Sequence, residues 1–293
     1  MREYLKGFLL ECEYPSAATQ ELMFAYDKIA ANSKDDFEKL ILEYEKSYDI
    51  DYIAAIEKMN GISLASGVHE YTGALLLFLC YTRGLRGYYE ERGISYEIFK
   101  NTVLDLKYKM DECLCVKGIA GTFVAKWFAG FFRLERFALG RLQFEIVEFG
   151  CEYDSDEISL TPDSRVINVH IPRTGGHLDR ESVLSSYKLA ADFYRQMLGK
   201  KIVFTCSSWL LFPKNKEMLR QNSNLLAFIN DFNIYASGEY PDYKEVWRLF
   251  DTEFDGDASH LPANTSLRRA YIDLISRGEK TGWGKGVFLY KFS

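Results

Sequence analysis

The chain has 293 residues, enough for two compact domains, and 47% of them are apolar, which excludes a wholly disordered protein. Its formal net charge of −6 argues against a nucleic-acid binder, because a protein that binds phosphate backbones needs a basic surface. The longest apolar run, residues 74–81, is far shorter than the roughly 20 residues that a membrane-spanning helix needs.

Cysteine usage and the start of the chain indicate the compartment. The six cysteines show no metal-site spacing, since no CxxC occurs and the closest pair is Cys113 and Cys115. Residues 1–4 lead directly into an amphipathic pattern rather than a secretory signal. We therefore expect reduced thiols, no metal, and a cytoplasmic protein that neither enters a membrane nor binds nucleic acid.

Residues 1–135 have the apolar spacing of consecutive helices. The pattern predicts helices over 3–13 and 19–31, then a helix with Ser33 as its N-cap. The buried face of that third helix is Phe37, Leu40, Ile41 and Tyr44. Residues 68–91 are apolar nearly all round their middle, which is typical of the central helix of a bundle.

The helical part ends with two further predicted segments. Gly93 ends the central helix and Ser95 caps the next, while residues 123–135 form a last helix rich in Phe and Trp. At Phe137 the apolar period changes from 3.6 to 2, so strands begin. The sequence therefore predicts an α+β protein, with an all-α domain over 1–135 and a mixed domain over 136–293.

The mixed domain contains a strand, a glycine turn, a helix and a second strand, over 166–171, 173–177, 179–198 and 201–211. A glycine turn before a helix N-terminus exposes backbone N–H groups beside the positive end of the helix dipole, which suits a phosphate. The candidate phosphate-binding residues are Arg173, Gly175, Gly176 and His177. Further on, the pattern predicts helices over 242–250 and 266–277 and a closing strand over 286–290.

Polar side chains on the predicted strands are the candidates for chemistry. Arg141, Gln143 and Glu145 share one face of the first strand, and Asn168 and His170 share a face of the second. Glu145 is the preferred general base, ahead of His170. For Glu145 the alternative is an ion pair with Arg141 or another cation, and for His170 it is a structural hydrogen bond.

Further polar residues are candidates for substrate binding. These are Gln143, Ser207, Ser208 and Asn222. A thiol or serine hydrolase is an alternative that would need a base within about 3 Å of Cys206, Ser207 or Ser208. Cys206 lies in the apolar run 202–211, where it is expected to be a small core residue.

Several sequence blocks in the second half resemble a known family. They are Leu-Gly-Arg-Leu-Gln-Phe-Glu at 139–145, Val-His-Ile-Pro at 169–172, Ser-Ser-Tyr at 185–187, Ala-Ala-Asp-Phe-Tyr at 190–194 and Cys-Ser-Ser-Trp-Leu-Leu at 206–211. In these blocks the chain is similar to bacterial two-domain N-acyltransferases, in which a helical N-terminal domain precedes a GNAT-like domain. The resemblance implies a central, mostly antiparallel sheet in the second half.

The same resemblance implies a reaction. Acetyl-CoA or another acyl-CoA would lie between the strands 166–171 and 202–211, with backbone groups at Val169 and Ile171 pairing with its pantetheine arm. The acceptor would be the amine of a small molecule or peptide, attacking the thioester directly. The aromatic residues 127–132 are expected to be core, or else a homodimer surface.

The sequence departs from the family pattern at two positions. Leu178 stands where the family's phosphate loop has glycine or alanine, and Ile229, seven residues after Asn222, stands where many relatives have a tyrosine acid. These departures favour a second hypothesis, a binding or interaction protein that keeps the GNAT-like scaffold without catalysis.

Overall fold

In the computed structural model, which describes residues 1–174, 176–199 and 201–291, the chain divides into two units, Met1–Ala138 and Leu139–Ser293. The first unit is helical, as predicted. Its α-helices are α1 (Arg2–Glu11), α2 (Ser16–Asn32), α3 (Lys34–Lys46), α4 (Tyr52–Ala65), α5 (Glu70–Glu91), α6 (Tyr96–Lys117) and α7 (Ala129–Phe132). None of the helices in the described ranges is both long and apolar enough to cross a bilayer.

The middle of α5 is the centre of this helical unit. All residues from Ala74 to Tyr81 are at most 3% exposed, which confirms the prediction of a central helix. The predicted face of α3, from Phe37 to Tyr44, is buried as well. Aromatic rings join the two helices, since Tyr44 stacks on Tyr81 with centroids 4.4 Å apart.

Helix ends in this unit differ in part from prediction. Ser95 caps α6 by accepting a hydrogen bond from the Ile98 N–H, as expected. Ser33 is the N-cap residue of α3, as predicted, but within the described residues its side chain makes no capping hydrogen bond, and its hydroxyl instead accepts one from Ser66. The last predicted helix is shorter, because Leu134 has a left-handed backbone with φ 60° and the chain leaves the helical path there.

The second unit is built on a mixed sheet. Its strands, counting β1 at the boundary of the units, are β1 (Arg136–Leu139), β2 (Leu142–Glu148), β5 (Arg165–His170), β6 (Ile202–Ser208), β7 (Asn233–Glu239) and β8 (Gly282–Tyr290), and a separate hairpin holds β3 (Tyr153–Asp154) and β4 (Ser159–Leu160). Among the described residues the sheet order is β1, β2, β5, β6, β8, β7. The pairs β2–β5, β6–β8 and β7–β8 are antiparallel and β5–β6 is parallel, so the predicted mostly antiparallel sheet is confirmed.

The parallel pair requires a crossover, and α8 (Arg180–Leu198) supplies it. Asp179 caps this helix through its carboxylate. The ring of Tyr187 lies 5.3 Å from that of Phe204 on β6, and the Tyr194 hydroxyl donates to the Phe144 carbonyl on β2 at 2.9 Å. These contacts hold α8 against the centre of the sheet.

The remaining helices of the unit are short, apart from the last. They are α9 (Lys214–Met218), α10 (Asn224–Asn230), α11 (Trp247–Phe250) and α12 (Ser266–Ser276). The predicted helix over 242–250 is thus only a 3₁₀ turn at Lys244–Val246 followed by α11. Between β7 and β8, residues 240–281 form a satellite cluster whose buried members include Phe250, Tyr271 and Leu274.

Strand β8 is longer than predicted, since it begins at Gly282 rather than Gly286. Glycines at alternate positions of β8 allow the backbone of other segments to pass close to the strand. A Cβ on Gly284 would lie 2.1 Å from the Leu211 carbonyl oxygen, and one on Gly286 would lie 2.7 Å from the Cβ of Phe232. The turn that follows β6 therefore packs directly on β8.

We expect Gly284→Ala to lower the free energy of unfolding of the second unit, because backbone at Leu211 would have to move to admit the methyl group. Such overpacking typically costs about 1–3 kcal/mol. Urea unfolding followed by tryptophan fluorescence measures the change. Lys285→Ala, at the exposed neighbouring position, is the control, and equal midpoints for the two variants would contradict this account of β8.

Candidate active site

The register of β2 and β5 brings the predicted polar residues together. Glu145 is paired with Asn168, and Gln143 is paired with His170. Side chains on one face of an antiparallel pair meet both opposite and diagonal neighbours. The sheet therefore places Glu145, Asn168 and His170 within reach of one another near the C-terminal end of β5.

These three side chains form a hydrogen-bonded cluster. The Nε2 atom of His170 lies 2.6 Å from Oε1 of Glu145, and the Asn168 amide donates to the same oxygen at 3.2 Å. The Asn168 amide nitrogen is also 3.1 Å from His170 Nε2. In the structure Glu145 thus contacts both His170 and Asn168.

The two hydrogen bonds to Glu145 Oε1 are consistent with an ionised carboxylate. A carboxylate oxygen accepts both an imidazole N–H and an amide N–H, and we assign the His170 tautomer with its hydrogen on Nε2 on that basis. The Asn168 amide nitrogen and His170 Nε2 are then two donors to the same oxygen, and their 3.1 Å separation is not a hydrogen bond between them. The lone pair of the imidazole is then on Nδ1. Since the side chains of Glu145 and His170 are 14% and 20% exposed, the pair is largely buried yet open to one side.

Beside this cluster, the parallel strands β5 and β6 pair over a short length. Ile167 pairs with Phe204 and Asn168 with Thr205, and across residues 165–170 and 202–208 the register contains no pair beyond these. The ladder therefore stops before Val169 and His170 on one strand and Cys206 and Ser207 on the other. Backbone groups past that point are positioned to bind an extended ligand rather than a neighbouring strand.

The loop after β5 is held by Arg141. Its guanidinium donates to the carbonyl oxygens of Pro172 at 2.9 Å, Gly176 at 3.3 Å and His177 at 3.4 Å. Arg141 therefore stabilises the loop that contains the candidate phosphate-binding residues. Gly175 lies outside the described residues.

Other members of that loop have specific neighbours. Arg173 forms an ion pair with Asp251 through Nη1 and Oδ1. The Gly176 N–H donates to the Thr174 hydroxyl at 3.3 Å, and His177 is exposed. Leu178 is buried. Its side chain thus packs into the unit.

The N-terminus of α8 already holds an anionic group. The Asp179 carboxylate accepts hydrogen bonds from the backbone N–H of Ser182 at 2.9 Å and from its hydroxyl. These bonds, the backbone one first, lower the pKa of Asp179 below its ordinary value. A phosphate near this helix would therefore bind through the preceding loop rather than at the capped amide.

The candidate substrate-binding residues are spread over several elements. Gln143 is buried on β2, opposite His170. Ser207 is exposed at the end of β6, whereas the Ser208 hydroxyl accepts a hydrogen bond from the Leu210 N–H at 3.2 Å. Asn222 is exposed in the turn before α10. The strand register thus places Gln143 next to the cluster of Glu145, Asn168 and His170. Ser207 lies at the end of the neighbouring strand β6.

Cys206 is a core residue, as expected. It is fully buried, and burial raises the pKa of its thiol to about 12. Within 1–174, 176–199 and 201–291, no histidine or carboxylate is hydrogen-bonded to the side chains of Cys206, Ser207 or Ser208. The geometry of a thiol or serine hydrolase does not occur in this part of the chain.

Sequence reasoning missed two residues near the loop, Asp251 and Arg268. The Arg268 guanidinium contacts the Asp251 carboxylate at 2.6 Å, and that carboxylate also binds Arg173. Asp251 follows a short helix and has a left-handed backbone with φ 61°, but the sequence contains no local sign that it meets Arg173, which is 78 positions earlier.

Two family models match the chain. A GNAT-like C-terminal domain covers residues 136–288, and an N-acyltransferase N-terminal domain covers residues 3–134. The chain belongs to the GNAT-like C-terminal domain family. The resemblance inferred from the sequence blocks is thereby confirmed.

Solved structures with the same fold extend this finding. A mutant acyltransferase in complex with octanoyl-CoA superposes with a TM-score of 0.76 at 20% identity, over 99% of this chain and 88% of that one. An acyltransferase in complex with decanoyl-CoA and teicoplanin gives 0.74 at 20% identity, over 97% and 86%. At this identity the likeness shows a shared fold. A search of curated proteins found no significant match.

Brief alkylation of the native GNAT-like protein should distinguish its cysteines. At pH 8 we expect iodoacetamide to modify the exposed Cys115 first and to leave Cys206 unmodified, since a thiol with a pKa of about 12 carries almost no thiolate. Peptide mass spectrometry measures the labelling, and unfolding in urea, which should expose every thiol, is the control. Rapid labelling of native Cys206 would instead support the thiol-hydrolase hypothesis.

Proposed function

We propose that this protein is an acyl-CoA-dependent N-acyltransferase that moves an acyl group to the amine of a small molecule. The observation that carries the proposal is the Glu145–Asn168–His170 cluster beside the point where β5 and β6 stop pairing. Membership of the GNAT-like family supports it, because the cluster then lies beside the open edge between β5 and β6, where such a fold would hold a thioester.

In the proposal, acyl-CoA binds along the edge of β5 that faces β6, beyond the last pair between the two strands. Backbone groups from Val169 to Ile171 pair with the pantetheine arm, and a backbone N–H polarises the thioester carbonyl. Arg173, Gly176 and His177 face the phosphates. The structural neighbours were solved with octanoyl-CoA and decanoyl-CoA, so medium-chain acyl groups are candidates alongside acetyl.

The acceptor in the proposal is a small molecule with a primary amine. Teicoplanin accompanies decanoyl-CoA in one neighbouring structure and 10C-teicoplanin accompanies CoA in another, which supports a small-molecule acceptor over a protein. Gln143, Ser207, Ser208 and Asn222 are the candidate contacts for it. A cytoplasmic location and a homodimer remain predictions from the sequence.

We assign the proton transfer to His170, with Glu145 as its positioning partner. The amine nitrogen attacks the thioester carbonyl carbon, the C–S bond breaks, and CoA leaves as a thiolate. The attacking nitrogen becomes positively charged as its bond to carbon forms, and His170, whose Nε2 faces Glu145, accepts the proton that this nitrogen loses. Glu145 fixes the ring and the tautomer, as the third member of a nucleophile–base–orienter arrangement does elsewhere.

The competing function is non-catalytic binding on the same scaffold. The capped N-terminus of α8 favours it, since Asp179 occupies an amide that a phosphate-binding helix would keep available. The two functions differ in turnover. A non-catalytic protein would bind acyl-CoA or its own ligand without releasing free CoA.

Acyl-CoA binding is the first test. Isothermal titration with acetyl-, octanoyl- and decanoyl-CoA should give saturable heat with at least one of them, together with a rise in melting temperature, because a ligand of the folded state stabilises it. The absence of both effects at millimolar ligand would contradict the proposal.

Variants of the cluster provide the second test. His170→Gln should lower kcat by about 10²–10⁴, the usual contribution of general base catalysis, with the affinity for acyl-CoA unchanged. Glu145→Gln should lower kcat less and leave KM for acyl-CoA within about twofold, since it only orients the base. Release of free CoA with a panel of small amines is the assay.

The matched control is Glu148→Gln, the same change at an exposed position on the same strand, which should keep full activity. Full turnover by His170→Gln would remove His170 from the mechanism.

A further inference from the structure

Asp251 joins the loop after β5 to the satellite cluster. One of its carboxylate oxygens accepts from Arg268 Nη2 at 2.6 Å, and the other accepts from Arg173 Nη1. Arg173 lies two residues after the proposed pantetheine-binding segment, whereas Asp251 and Arg268 both belong to residues 240–281 between β7 and β8. The satellite cluster thus reaches the candidate phosphate loop through one carboxylate.

The Asp251 carboxylate is itself held in place. The side chain of Arg268 is only 14% exposed, and it also donates to the Leu249 carbonyl at 2.8 Å and to the Asn264 side chain at 3.0 Å. Asp251 ends α11 with a left-handed backbone, and its N–H bonds to the Trp247 carbonyl at 2.9 Å. Arg268 and the backbone therefore fix where the carboxylate points.

Arg173, in contrast to the largely buried Arg268, has a side chain that is 39% exposed. A guanidinium carries five N–H donors in a rigid fork, and within the described ranges Asp251 accepts from Nη1 of Arg173 and from no other nitrogen of that guanidinium. Arg173 and Arg268 together carry two positive charges against the single negative charge of Asp251. The group as a whole retains a net positive charge, which suits an anion with several oxygens, such as a phosphate.

We propose that Asp251, held by Arg268, positions Arg173 to bind the phosphate groups of the acyl-CoA. The inference rests on the proposed function. Arg173 is the binding residue, and Asp251 and Arg268 are positioning residues. An unrestrained arginine must lose rotamer freedom when it binds, whereas Arg173 is already ordered by the ion pair, so less free energy is lost on binding. The residues between β7 and β8 thereby contribute to cofactor recognition.

The test compares CoA with pantetheine, which lacks every phosphate, by isothermal titration of the full chain. Asp251→Asn should weaken CoA binding roughly tenfold, the effect of losing one charge-assisted hydrogen bond, and leave pantetheine binding unchanged. Arg173→Ala should do the same. In the Arg173→Ala background, Asp251→Asn should cause no further loss, because the two residues act through one contact.

Asp273→Asn is the matched control, since Asp273 is an exposed carboxylate of α12 that pairs with Arg277. It should leave both affinities unchanged. Should Asp251→Asn fail to fold, Asp251→Glu carries the test, because glutamate keeps the charge but displaces the carboxylate from Arg173. It is expected to weaken CoA and to leave pantetheine unchanged.

Three outcomes overturn the inference while the proposed function stands: tighter CoA binding by Asp251→Asn, equal weakening of CoA and pantetheine, or wild-type affinity in every variant. The first would mean that Asp251 competes with the phosphate, and the second that its role is structural. Failure of the wild-type protein to bind either compound would instead remove the proposed function itself.

Discussion

The early end of the pairing between β5 and β6 is the constraint on which the rest of the second unit depends. Parallel strands joined by a helix normally continue side by side, but here the register contains only the pairs at Ile167 and Asn168 within the described residues. A polar cluster at Glu145 and His170 lies beside the point where the two strands stop pairing with each other. Because unpaired backbone groups are costly when buried, this arrangement is favourable where a ligand or water completes their hydrogen bonds.

Local patterns predicted the elements of the fold better than their contacts. Alternation placed Glu145 and His170 on strands, since side chains of a strand alternate with a period of two. It could not give the register of β2 against β5, and that register decides that His170 reaches Glu145. Helix α4 was not predicted, because it is apolar on most sides and lacks a clear polar face, although Asp51 is a good N-cap.

The sequence was least informative where packing overrides propensity. Gly282 and Gly284 have low strand propensity and fall outside the predicted closing strand, yet they lie within β8, at points where neighbouring backbone passes too close for a side chain. The ion pair of Arg173 with Asp251 is equally hidden, as contacts between distant positions leave no periodic signal. The loop that follows β5 is consequently held from two directions, by Arg141 and by Asp251, and neither role was visible from the sequence.

The place of β8 in the sheet has a consequence for synthesis. Residues 282–290 form an interior strand between β6 and β7, so these two strands have no β8 partner while the ribosome is still making the preceding chain. Two open strand edges then exist in the nascent protein, and such edges are prone to wrong pairing. Completion of this sheet must wait for β8, whereas the helices within residues 2–132, which precede the sheet in the chain, can fold earlier.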